Sequence, residues 1–140
     1  MIRKRNFTVL LPLFLLFVSC LSSDRPNYTE HGIASFYADY FEGRQTANGE
    51  IFNQDSMTAA HRYLPFDTEV KVTDQQSGQS VTVRINDRGP YVKGRIIDLS
   101  RASKRELGLE RDDGLAEITL SARIDQGLAD SLSKKLESVE

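Results

Sequence analysis

The chain has 140 residues, enough for one domain, and its 39% hydrophobic and 27% charged content is ordinary for a globular protein. Its formal charge of −2 hides an asymmetry, because Arg3, Lys4 and Arg5 lie at the extreme N-terminus, and from residue 20 onward 15 basic residues face 20 acidic ones. No basic stripe is left to attract a phosphate backbone, which excludes nucleic acid as an expected partner. Two histidines and one cysteine offer no recognised ligand spacing, so neither a metal nor a cofactor is expected.

The basic trio is followed by Phe7–Val18, apolar apart from Thr8 and interrupted by Pro12. A run of about 12 residues is short of the ~20 that span a bilayer as a helix. It reads as an export signal covering residues 1–19. The signal ends at Phe17-Val18-Ser19-Cys20, with small residues before the only cysteine. That pattern suits a lipoprotein processing site, although Phe17 stands where Leu is usual. Cys20 is expected to carry the lipid, and the plainer alternative is an odd free thiol. With no second cysteine the exported domain must be stable without disulfides. Residues 20–29 are polar and contain Pro26, which suits a tether, and His31 just beyond reads as a solvated linker residue.

Residues 30–122 hold the domain. Gly32–Tyr40 reads as a first strand, and the cluster Phe36, Tyr37, Tyr40 and Phe41 is either core or the lining of a groove. Glu42–Phe52 is a loop with a strong turn signal at Asn48-Gly49, immediately followed by Glu50. A carboxylate there is either an exposed loop residue or a partly desolvated acid with a raised pKa. Met57–His61 holds small packing residues and ends in a histidine that, taken alone, is more often structural than catalytic.

Glu69–Thr73 and Ser80–Ile85 both alternate apolar and polar residues and form a predicted hairpin around Gly78. The stretch Arg84–Ser100 then breaks into a polar turn, Asn86-Asp87-Arg88-Gly89-Pro90, re-extends at Arg95-Ile96-Ile97 and stops at Asp98-Leu99-Ser100. Gly89 and Pro90 already supply the turn geometry, so Asp87 and Arg88 side by side call for another purpose. Arg101–Leu107 is a predicted helix, with Ser100 as N-cap and Gly108 as its stop. Ala116–Ser121 is a last strand. The tail, 123–140, spaces Ile124, Leu128, Leu132 and Leu136 as one helical stripe that can cap the barrel, meet a partner or fray. Dominant strands, frequent turns and little helix predict a small β-barrel.

Several motifs stand in one order: Gly32-Ile33-Ala34-Ser35-Phe36-Tyr37, Gly43–Glu50, Thr58-Ala59-Ala60-His61, Asn86–Pro90 and Gly94–Ser100. Together they closely resemble the rare lipoprotein A family of septal-ring lytic transglycosylases, over about Gly32 to Leu120. The resemblance implies a mainly β fold, a six-stranded double-psi β-barrel with one or two short helices. It also implies cleavage of peptidoglycan between N-acetylmuramic acid and N-acetylglucosamine without water, preferably on peptide-free strands, leaving 1,6-anhydro ends. Carried over residue by residue, the catalytic groups fall on Glu50, Asp87 and His61. Asp98 matches the aspartate of related expansin-like barrels. Beside these, the residue chemistry offers substrate contacts: Arg44 or Arg88 to orient the carboxylates or hold a lactyl carboxylate (or else ion pairs framing the barrel), Asn86 to donate a hydrogen bond, and Tyr37 to stack on a sugar face.

The sequence departs from the family pattern at Phe36, where Trp is usual, and at Ala38, where Gly is common. No stretch after Leu120 is long enough for the glycan-recognising SPOR domain that many members carry. The expected partners are glycan strands and, through Cys20, a membrane. Leu21 in place of Asp after that cysteine points to the outer membrane of the envelope. Two rival readings remain: an expansin-like wall-binding lipoprotein without catalysis, and a hydrolase with a water nucleophile.

Overall fold

The computed structural model describes residues 25–109 and 114–139. The expected export signal, Cys20 and the first part of the expected tether lie outside the described residues. Six strands are present: β1 (Tyr28–Phe36), β2 (Thr58–His61), β3 (Glu69–Asp74), β4 (Ser80–Asp87), β5 (Arg95–Leu99) and β6 (Leu115–Ala122). They close into a barrel in the order β1-β5-β2-β4-β3-β6. The β1–β5 and β2–β4 pairs are parallel and the rest antiparallel. This is the expected six-stranded architecture, with the two halves of the chain interleaved.

Alternation along each strand decides what the barrel encloses. On β6 the buried residues are Ala116, Ile118, Leu120 and Ala122, and their β1 partners are Ala34, Gly32, Glu30 and Tyr28. Val70 and Val72 on β3, with Val81, Val83 and Ile85 on β4, complete the apolar lining as the hairpin pattern required. The inner face also receives His61 and Ala59, register partners of Ile97 and Leu99.

The strands differ from the sequence reading at several ends: β1, expected to reach Tyr40, stops at Phe36 and gives way to a 3-10 turn at Asp39–Phe41. β1 begins at Tyr28, within the stretch read as tether, because the Tyr28 ring is a core residue and Asn27 N–H donates to Ala122 O at 3.1 Å. β4 runs two residues past Ile85 to Asp87.

Both parallel pairs carry a register shift. On β2–β4, Ala59 faces Ile85 and Ala60 faces Asp87, so Asn86 is the extra residue of a bulge. On β1–β5, Ile33 faces Arg95 and Ala34 faces Ile97, leaving Ile96 as the extra one. The bulged Ile96 lies over Gly32, where a Cβ would come within 2.7 Å of Ile96 Cγ2. Close approach of the two strands, not turn geometry, requires glycine there.

Helix α1 (Arg101–Glu106) starts as predicted, with Ser100 accepting from Ser103 N–H, and Gly108 follows it at φ +65°. The tail forms α2 (Gln126–Glu137), capped by Asp125 accepting from Leu128 N–H. Its apolar stripe returns to the barrel: Ala129 and Leu132 are buried and Ile124, Leu128 and Leu136 pack against the core. Of the three possibilities for the tail, capping the barrel is the one realised.

Candidate active site

The outer face of the wall β1-β5-β2-β4 carries a row of four register partners, Ser35, Asp98, Ala60 and Asp87. Paired residues project to the same side of a sheet, and strands lie ~4.8 Å apart, so the two aspartates stand about 10 Å apart across Ala60. Ala60, between them, is buried. Tyr37, two positions beyond Ser35, falls on the same face and closes the row: its hydroxyl donates to Asp87 Oδ2 at 2.6 Å.

Asp87 Oδ1 accepts from the N–H groups of Ala47 and Arg88, each at 2.9 Å. Burial, reinforced by the Asp87 hydrogen bond, pushes the Tyr37 phenol well above its ordinary pKa, so the hydroxyl stays protonated. The ring packs on Phe52 with centroids 4.2 Å apart and meets the edge of Phe41 at 5.6 Å. Of the aromatic cluster, Tyr37 therefore lines the site, while Tyr40 and Phe41 remain exposed beside it.

Glu50 arrives on a loop pinned at several points. Phe52 N–H donates to Arg44 O at 2.7 Å, Thr46 N–H to Glu50 O at 2.7 Å, and Asn48 N–H to Asn86 O at 3.3 Å. Gly49 makes the turn at φ +93°. Arg84 then grips Glu50 in a fork, Nη1 to Oε1 at 2.7 Å and Nη2 to Oε2 at 2.8 Å, and Asn86 Nδ2 donates to Oε2 at 3.0 Å.

The bulge at Asn86 gives these contacts their geometry. Consecutive residues of β4 reach the same loop, Asn86 to Glu50 and Asp87 to Ala47. Glu50 and Asp87 are thus brought to one place through one dipeptide. The Arg84 fork, with help from Asn86, lowers the Glu50 pKa to about 2. Its side chain is 40% exposed, so the desolvation considered for this carboxylate is slight and the shift runs downward.

Other expected residues take different tasks. Asp98, 18% exposed, accepts from Arg95 Nη2 at 2.6 Å and from Ser35 Oγ. Asn86 is 2% exposed and directs its amide at Glu50, so it positions a carboxylate rather than meeting substrate. Arg88 sits 3.9 Å from the Phe66 ring centroid and donates Nη1 to the carbonyls of His61 and Leu64 at 3.2 and 3.0 Å, which ties its guanidinium to backbone. Arg44 lies exposed, 3.5 Å over the Tyr40 ring, and no ion pair is found for it among the described residues.

His61 is not with Glu50 and Asp87. Alternation along β2 turns Ala60 to the outer face and His61 to the interior, where it is 1% exposed. Its expected place at the groove is corrected to the opposite side of the same wall. Arg84, Ser35 and Ala60 complete the site without having been singled out. The alternation of β4, which faces Ile85 inward, was the available signal for Arg84.

The family model described as lytic transglycolase, a double-psi β-barrel, matches residues 29–120. The probable endolytic peptidoglycan transglycosylase RlpA of Synechocystis is 57% identical over 89 residues, 64% of this chain and 27% of that protein. The endolytic peptidoglycan transglycosylase RlpA of Pasteurella multocida is 56% identical over 88 residues, 63% of this chain and 30% of that one. The chain thus spans about a third or less of the length of these relatives.

Among solved structures, the Streptomyces papain inhibitor shares the fold at TM-score 0.56 and 21% identity, over 71% of this chain and 97% of that one. A Clavibacter michiganensis expansin aligns at TM-score 0.53 and 26% identity, over 69% and 51%. With the barrel, its register and its motifs all in agreement, this chain belongs to the lytic transglycolase family of double-psi β-barrels, alongside the RlpA proteins.

Proposed function

We propose that the protein is an endolytic peptidoglycan lytic transglycosylase, cleaving the bond between N-acetylmuramic acid and N-acetylglucosamine and leaving 1,6-anhydro ends. The observation that carries this reading is the row with Asp87 and Asp98 on either side of Ala60, Tyr37 bonded to Asp87 and Glu50 tied to the same strand beside it. The reaction delivers one proton to the departing glycosidic oxygen. It removes one from the muramic acid C6 hydroxyl, whose oxygen attacks the anomeric carbon. The protons balance and no water is consumed.

A carboxyl with a pKa of about 2 holds no proton near neutrality, so Glu50 does not serve as the acid. It places negative charge beside the oxocarbenium-like centre. Proton transfer falls to Asp87, a carboxylate that takes the proton of the C6 hydroxyl and passes it to the leaving oxygen. Tyr37 holds Asp87 in place throughout. Asp98, in the same row, is placed as a substrate contact. The exposed Arg44 guanidinium is suited to the lactyl carboxylate of the muramic acid. Export, lipid attachment at Cys20 and an outer-membrane position facing the wall are the setting that fits such a substrate.

The likeness to an expansin barrel favours a second reading, a wall-binding protein that cuts nothing. One experiment separates them: the full chain is incubated with peptide-free glycan strands and the products are weighed by mass spectrometry. New 1,6-anhydro ends, lost in Asp87→Asn and in Glu50→Gln with the fold intact, support the transglycosylase. Reducing ends would make it a hydrolase, and retention on the wall without new ends would make it a binding module.

A further inference from the structure

The interior of the barrel holds a polar chain that the proposed reaction does not touch. Tyr28 Oη donates to Glu30 Oε2 at 2.7 Å, and His61 Nε2 lies 3.0 Å from the same oxygen. The other ring nitrogen, Nδ1, lies 3.1 Å from Tyr63 N and 3.0 Å from Leu64 N, both of which donate to it. An acceptor of two backbone N–H groups carries no proton, so the proton of a neutral ring is on Nε2 and points at Glu30. Glu30 is 5% exposed. Burial raises its pKa, but the hydrogen bonds from His61 and Tyr28 outweigh that and hold it below the ordinary range, as a carboxylate ready to accept both donors.

The turn that His61 grips is gripped again from its other side. Arg88 Nη1 donates to the carbonyls of His61 and Leu64, and Arg88 N–H donates to Asp87 Oδ1 at 2.9 Å. A continuous path of contacts therefore runs from Glu30 through the His61 ring, the 61–64 turn and Arg88 to the Asp87 carboxylate.

We propose that Glu30 and His61 are positioning residues: Glu30 fixes the Nε2–H tautomer of His61, and the unprotonated Nδ1 holds the 61–64 turn that seats Arg88 behind Asp87. His61 carries no proton to or from the substrate. This rests on the transglycosylase reading only for its activity readout. The nearest precedent in physical terms is the outer-shell partner that fixes the tautomer of a functional histidine. A displacement of about 1 Å at Asp87 is worth on the order of 10²-fold in rate.

Two measurements test it. In a ¹⁵N-labelled full chain, long-range ¹H–¹⁵N correlations report the tautomer directly. A protonated Nε2 with a bare Nδ1 at neutral pH is expected, and a protonated Nδ1 would overturn the proposal whether or not the chain cuts glycan.

In the glycan assay, His61→Asn keeps a short acceptor for the two N–H groups but cannot shuttle a proton. It is expected to stay within about 10-fold of wild-type kcat, with His61→Ala down on the order of 10²-fold or more at similar folded content. Equal loss in both would show that the ring transfers protons. Should His61→Asn fail to fold, Glu30 poses the same question. Glu30→Gln keeps an acceptor for Nε2–H and is expected to remain active, while Glu30→Leu is not, and equal activity of the two would overturn the proposal. A wild-type chain that makes no anhydro ends would defeat the transglycosylase reading while leaving the tautomer measurement to judge the interior chain.

Discussion

The Tyr37 hydroxyl and the Asp87 carboxylate, 50 positions apart in sequence, meet at 2.6 Å on the outer wall of the barrel. Tyr37→Phe removes that donor and leaves the ring packed on Phe52 and Phe41. A hydrogen bond to a charged group is worth about 1.5–3 kcal/mol, so kcat should fall on the order of 10- to 100-fold. The thermal midpoint should move by only a few degrees. Unchanged kcat would remove Tyr37 from the catalytic arrangement.

Arg84 sets the ionisation of Glu50. Replacing it by Ala should return the Glu50 pKa from about 2 toward its ordinary 4.5. The sign follows from the depressed value: the pairing contributes stability above about 4.5 and loses it as pH falls toward 2. Because the side chain is partly exposed, the stabilisation is heavily screened. NMR titration of the Glu50 carboxyl in wild type and Arg84→Ala should show the upward shift, and the acid limb of activity should move the same way.

Gly32→Ala should destabilise the fold without touching the site. The added methyl would meet Ile96 Cγ2 at 2.7 Å and Gly94 O at 3.3 Å. Overpacking of this kind costs about 1–3 kcal/mol, measurable by urea denaturation. A silent substitution would mean that the Ile96 bulge yields more freely than its burial suggests.

Leu132 anchors α2 to the barrel. Leu132→Ala should lower unfolding free energy by about 2–4 kcal/mol, as for other buried leucines. If the helix is a passive appendage, chemical denaturation of this variant will overlay that of wild type.

Cys20 is the proposed lipid attachment point. Cys20→Ala is expected to abolish incorporation of labelled palmitate and move the protein from the membrane to the soluble fraction of the envelope. A membrane-bound, unlabelled variant would assign the anchor elsewhere.

Much of this was legible in the sequence. The Val70/Val72 and Val81/Val83/Ile85 alternation fixed the hairpin, Ser100 and Gly108 bracketed α1, and the order of motifs brought Glu50 and Asp87 together. The start of β1 was hidden because Tyr28 and Glu30 are polar residues pointing into the barrel, where they satisfy each other and His61.

The side taken by His61 was hidden for a related reason. Thr58, Ala59, Ala60 and His61 are all buried, so no contrast of apolar and polar residues marks inside from outside. The bulge at Asn86 left no signal either, since a one-residue register shift depends on the partner strand and not on local composition. Its effect was large: it converted Asn86 from an expected substrate contact into a support for Glu50.

The interleaved strand order has a consequence for when the protein can act. Asp87 and Asp98 flank Ala60 only after β2 has inserted between β4 and β5, and Ser35 joins them only once β1 has docked alongside. No contiguous fragment carries the constellation, and a clipped or half-assembled polypeptide has scattered carboxylates in place of an ordered row. The carboxylate row and the closure of the barrel arrive together.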